Sequence, residues 1–249
     1  MNELEVLLPE GLLDRSHPYP RAFITVSGAH LYGFPSADSD IDLRGVHLLP
    51  LEEIVGLRTG EETITRTWVE GAELDLVTHE LAKFCRMMLS RNGYVLEQVL
   101  SPLVVASSPL HEELVALAPR CVTRLHAHHY LGFARNQWRL FEKSGELKPL
   151  LYTFRVLLTG AHLMRTGELV ADLRLLEGGP AYLAELIEAK RGAEHGSLPA
   201  AAPDAERLGA DVVALTLRLE EERDRSALPA EPDAHDALHD LVVRTRLGT

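Results

Sequence analysis

Two aspartates, Asp40 and Asp42, are separated by one isoleucine in the stretch SDIDLRGV. Ile41 and Leu43 alternate with them, so the pattern predicts a strand from Asp40 to Leu49. Side chains alternate faces along a strand, which puts Asp40 and Asp42 on one side and Ile41 and Leu43 on the other. Two carboxylates on neighbouring same-side positions can hold a divalent cation through oxygen. With a third carboxylate they can hold two cations roughly 3.5–4 Å apart, as phosphoryl transfer often requires. Another acid stands in ELDLVT, where Asp75 lies between Leu74 and Leu76. A lone acid flanked by aliphatics on a strand marks a face with a purpose. Glu73 shares that face and is the nearest alternative.

The elements around these acids follow from local pattern. Ala22 to Val26 is a short apolar strand that runs into a small-residue turn, Ser27-Gly28-Ala29. A helix-like segment, a polar loop at residues 36–39 and the aspartate strand come next. The whole stretch, VSGAHLYGFPSADSDIDLRGV, resembles the DNA polymerase β-like nucleotidyltransferase superfamily, and especially its stand-alone bacterial members. Their pattern is a Gly-Ser turn, a short gap, Asp-x-Asp on a strand, and a third Asp on a later strand.

That resemblance implies a metal-dependent nucleotidyltransferase. Two Mg²⁺ or Mn²⁺ ions would be held by Asp40, Asp42 and Asp75, with Asp75 beside the other two across the sheet. An NTP would lay its triphosphate along Ser27, Gly28, Ala29 and His30, and pyrophosphate would leave. The acceptor hydroxyl belongs to a small molecule, a protein or an RNA end. In this chain Ala29 stands where the family carries the Ser whose hydroxyl helps hold the triphosphate, and Ser27 lies two residues away. Ala29 therefore opens a second reading: a catalytically weakened protein that binds nucleotide or a partner without turnover.

Positive charge for a triphosphate is available further on. Arg135, Arg139 and Lys143 are spaced four residues apart on one helix, and Lys148, Tyr152 and Arg155 form a stripe on the next. KPLLYTFRVLLTGAHLMRTGEL is similar to the corresponding helix of the family branch. The resemblance thus assigns Arg139, Lys148, Tyr152 and Arg155 to phosphate contact; a solvated helix face and a packed tyrosine are the plain alternatives.

Composition bounds the rest. A chain of 249 residues can build one large domain or two small ones. Its net charge of -12 disfavours extended nucleic-acid binding. Arg120 to Gly167 nevertheless carries eight basic and two acidic residues, which suits a triphosphate or a short RNA end. No apolar run reaches the roughly 18 residues of a membrane span, and the acidic N-terminus does not read as a signal peptide. Cys85 and Cys121 form no CxxC pair, so reduced thiols in a cytoplasm are expected. His126, His128 and His129 have the wrong spacing for one helical face and do not read as a zinc site.

The order of elements predicts an α+β protein. A small mixed-sheet nucleotidyltransferase domain at 1–108 contains a hairpin from strands at 62–69 and 73–78. An all-helical domain at 109–249 follows, with helices near 110–118, 121–143, 148–166, 180–191, 204–226 and 233–246. By the resemblance, that second domain closes the active-site cleft. Leu4 to Leu8 reads as a lead-in strand or turn, and residues 192–203 as a flexible connection.

Overall fold

The computed structural model describes residues 17–36, 38–70, 72–192 and 198–248. The expected lead-in element at residues 4–8, the turn residue Gly71 and the middle of the 192–203 connection lie outside the described residues. The described chain forms two compact units. One comprises residues 17–28, 40–121 and 232–248; the other comprises 29–39 and 122–231. The chain passes between the units after residues 28, 39, 121 and 231 rather than at 108: the segment at 29–39 belongs with the helices, residues 109–121 stay with the sheet, and the last helix returns to it.

The first unit is built on a five-stranded mixed sheet in the order β3-β4-β2-β1-β5. The strands are β1 Arg21–Val26, β2 Ile41–His47, β3 Thr63–Glu70, β4 Ala72–Glu80 and β5 Val104–Ala106. Strands β2 and β4 run parallel, and the other pairs are antiparallel. Period-2 patterning explains the sheet's two sides. Ile24, Val26, Ile41, Leu43, Leu74 and Leu76 form one buried cluster on one face, with Trp68, Leu103 and Val105 against it. The alternate residues Asp42, Arg44 and Asp75 occupy the other face, where they are only half-buried.

Short helices connect the strands in sequence. Helix α1 (Gly28–Tyr32) follows β1, and α2 (Glu52–Val55) lies between β2 and β3. Helices α3 (Leu81–Met88) and α4 (Gly93–Val99) follow β4, and α5 (Pro109–Leu117) follows β5. Leu81, Phe84, Cys85 and Met88 make the buried stripe of α3, and Phe84 meets Phe23 edge-on at 5.5 Å. Cys85 and Cys121 are unpaired and buried, and burial pushes their thiols up to about 12 and about 11.

The second unit is helical. Its long helices are α6 (Ala127–Ser144), α7 (Leu147–Thr166), α8 (Leu183–Arg191) and α9 (Ala205–Arg225). The helix expected to start at 121 starts later, because Thr123 is extended and a short 3₁₀ turn covers Arg124–His126. His126 Nδ1 accepts the Thr123 backbone N–H at 3.1 Å there, a use of that histidine as a cap. Helix α7 is buried on almost every side, as a central helix must be. Gly33, at φ +87°, ends α1 against Asp172; a Cβ at that position would overlap the Asp172 carboxylate.

The last helix, α10 (His235–Leu247), returns to the sheet unit. Arg246 pairs with buried Glu80 and its Nη1 donates to the Leu49 carbonyl at 2.9 Å. Among the described residues no helix is long and apolar enough to cross a membrane.

Candidate active site

Asp42 and Asp75 are brought together by strand register. They are direct partners in the parallel pairing of β2 with β4, between the partners Ile41–Leu74 and Leu43–Leu76. The apolar partners point into the core, so the two carboxylates share the opposite face. Thr67 on β3 faces Asp75 in turn, with its Oγ1 3.4 Å from Asp75 Oδ1. Asp40 is exposed and precedes β2 by one residue; Glu73 is exposed on β4.

Arg44, two residues after Asp42 on the same face, was not distinguished by the sequence pattern. Its Nη2 donates to Asp42 Oδ1 at 2.6 Å and to Asp75 Oδ2 at 3.2 Å. Nη1 donates to the carbonyls of Leu43 at 2.9 Å and Asp75 at 2.7 Å. Nε donates to the Tyr94 hydroxyl of α4 at 2.9 Å. Burial alone would lower the pKa of this guanidinium, but Tyr94, Asp42 and Asp75 outweigh it and raise the value. Arg44 is therefore a fixed positive charge between two acids, which offsets their mutual repulsion. The signal for it was present in the strand alternation, since residues 40, 42 and 44 share a face.

The turn before α1 backs this pair. The Ser27 N–H donates to the Asp42 carbonyl at 2.8 Å. Gly28 has φ +62°, and a Cβ there would overlap Asp42 Oδ2. Only glycine meets both conditions. Ser27 is fully buried, and its hydroxyl has no hydrogen-bond partner among the described residues.

The donor chemistry fits a divalent cation. Asp42 and Asp75 offer hard oxygen ligands on rigid strands, and the missing Gly28 side chain leaves the space in which Asp42 Oδ2 sits. Among the described residues no group of three or more His, Cys, Asp or Glu converges as a ligand set.

The other candidates belong to the helical unit. Ala29 is buried and His30 half-buried. Tyr152 contacts Tyr32 at 5.4 Å and Phe34 at 5.7 Å, both edge-on, and stacks with Phe133 at 6.4 Å. Buried Arg155 lies over the Tyr32 ring, 3.8 Å from its centroid. Lys148 is half-buried, while Arg135, Arg139 and Lys143 are exposed on α6. Thus Tyr152 and Arg155 share one aromatic cluster, and Arg139 lies on an open helix face. Lys190 also lacked a functional reading from sequence. It is fully buried and donates to Ser36 Oγ at 3.1 Å. Its signal was positional, since Leu183, Leu186, Ile187 and Lys190 follow the apolar spacing of α8.

Comparison with known proteins agrees with the motif. The family model RlaP, described as the RNA repair pathway DNA polymerase β family, matches residues 13–244. An uncharacterized protein of Methanocaldococcus jannaschii is 34% identical over 155 residues, covering 60% of this chain and 63% of that protein. The chain therefore matches less than two thirds of that relative's length. A solved nucleotidyltransferase-like protein from Exiguobacterium sibiricum aligns over 86% of this chain and 72% of its own, with 11% identity. Its TM-score of 0.33 is too low to add to the fold reading.

Proposed function

The chain belongs to the RNA repair pathway DNA polymerase β family, and from that premise we propose that it transfers a nucleoside monophosphate from an NTP to a hydroxyl at an RNA end, releasing pyrophosphate. Family membership supports nucleotidyl transfer in general. The choice of an RNA end rests on the family's description and on the local excess of basic residues between Arg120 and Gly167.

The observation that carries the reading is the in-register pair Asp42–Asp75 backed by Gly28. These two carboxylates would hold a divalent cation such as Mg²⁺ or Mn²⁺, and Asp40, one residue before β2, would join them as a third ligand only by turning toward the pair. When bound, such a cation lowers the pKa of an acceptor hydroxyl and offsets phosphate charge. Asp75 takes the acceptor's proton. The turn at Ser27-Gly28-Ala29 would support the triphosphate, and the Ser27 hydroxyl, which has no partner among the described residues, would donate there. Arg139, Lys148, Tyr152 and Arg155 are proposed as triphosphate contacts from their sequence alone. Two free, buried cysteines fit a reducing compartment, which we take to be the cytoplasm.

The test is incubation with each α-labelled NTP, Mg²⁺ or Mn²⁺, and a short RNA with a free 3′-hydroxyl. Label should move to the RNA with the wild type and fail to move with Asp42→Ala. Parallel reactions with protein and small-molecule fractions ask whether another acceptor is preferred. Undiminished transfer by Asp42→Ala overturns the assignment. Nucleotide binding without transfer to any fraction, and a gain on Ala29→Ser, favours a site weakened at Ala29.

A further inference from the structure

A single nitrogen, Arg44 Nη2, lies 2.6 Å from Asp42 Oδ1 and 3.2 Å from Asp75 Oδ2. It occupies the bridging position between the two carboxylates. A divalent cation held by the same two carboxylates would meet the Arg44 guanidinium. The guanidinium and a divalent cation cannot both fill the bridging position, and their charges repel.

We propose that Arg44 is a positioning residue that competes with the divalent cation for the Asp42–Asp75 pair. It holds both carboxylates and would give up its Nη2 contacts when the pair is loaded. The proposal rests on the reading of Asp42 and Asp75 as ligands. The remaining contacts of Arg44 make the exchange feasible. Nε is held by Tyr94 and Nη1 by the Leu43 and Asp75 carbonyls, so the side chain stays anchored as Nη2 yields. The Arg44 side chain is only 11% exposed, so its charge is not dissipated into solvent. Such a residue weakens the affinity of the pair for a bare cation. It discriminates less against a cation that arrives with the negative charge of an NTP, and so favours loading of the two together.

The test is a Mn²⁺ titration of the full chain without nucleotide, read by electron paramagnetic resonance of the free ion. Arg44→Gln should bind Mn²⁺ about tenfold more tightly, because a neighbouring positive charge is lost. Tyr94→Phe removes the Nε anchor and leaves both carboxylates in place; it should tighten binding roughly twofold. Asp42→Asn should abolish binding. Unchanged or weaker binding by Arg44→Gln and Tyr94→Phe, with Asp42→Asn still inactive in binding, overturns the competition and leaves the ligand assignment standing. Wild-type binding by Asp42→Asn means the carboxylate pair is not the cation site, and both readings fall. If Arg44→Gln fails to fold, Tyr94→Phe decides the competition alone.

Discussion

Gly28 is the residue whose change should be least forgiving. Its left-handed backbone and its contact with Asp42 Oδ2 exclude a side chain on two separate grounds. Gly28→Ala should displace the Asp42 carboxylate while leaving the sheet intact. Transfer should fall by about 100-fold, the order expected when a reacting group is misplaced by about 1 Å. Circular dichroism would check that the fold survives, and rates at saturating NTP would measure the loss. The face that Asp42 occupies was legible in the sequence because alternation is a local property. The use of Arg44 was not, because its partner Asp75 is set by the pairing of β2 with β4, which no local pattern states. Lys190 was hidden for a different reason: a cation on the apolar spacing of a helix gives no hint of the hydroxyl that will meet it.

At the scale of elements, the far ends of β2 and β4 are fastened by polar groups. The Thr78 hydroxyl lies 2.9 Å from both His17 Nε2 and His47 Nδ1. His47 Nε2 lies 3.0 Å from the Glu61 carbonyl. Burial lowers the pKa of His17 and His79, and takes His47 down to about 4. A histidine with a depressed folded pKa resists protonation in the native state, so the unfolded chain binds more protons at intermediate pH. The stabilising contribution is complete above about 6.5 and is lost as pH falls from there through about 4. For His47 the loss is on the order of 3 kcal/mol. Urea midpoints measured from pH 7 to 4.5 should therefore decline, and His47→Gln should flatten the decline while lowering the midpoint at pH 7.

Helix α10 is fastened by charge. The Glu80 side chain is 5% exposed and that of Arg246 is 11% exposed. Glu80 also caps α3 by accepting the N–H groups of Ala82 and Lys83 at 2.8 and 3.2 Å. Arg246→Ala should cost about 3–5 kcal/mol in chemical denaturation, because it leaves a buried carboxylate unpaired. Replacing both partners together, with Glu80→Gln and Arg246→Met, should cost less than the single change. In the hydrophobic core of the helical unit, Phe154→Ala should cost about 3–5 kcal/mol by leaving a cavity in fully buried α7. The strands and helices were readable from sequence because caps, breakers and periodicity are encoded within a few residues. The delayed start of α6 was not, since it depends on the extended backbone at Thr123 and a histidine side chain folding back to cap it.

At the scale of the molecule, the charge balance would set how the proposed RNA acceptor is met. A net charge of -12 leaves little attraction for a long phosphate track. Binding of a labelled RNA end should therefore weaken only modestly with salt, with a log–log slope no steeper than about -2, the value for roughly three phosphate contacts to a single strand. A slope several times steeper would point to an extended nucleic-acid interface. The mixed α+β class followed from the order of elements. The division into units did not, because two returns of the chain depend on contacts distant in sequence: Tyr32 with Tyr152, and Arg246 with Leu49 and Glu80.

The return of α10 also sets a timetable. Leu49 and Arg246 are 197 residues apart, so at about 5–20 residues per second a ribosome needs roughly 10–40 s to make the second after the first. For most of that interval, from the synthesis of Glu80 onward, the emerging sheet unit holds a carboxylate whose buried partner does not yet exist. The helical unit at 122–231 is complete in sequence before the unit that began ahead of it can close.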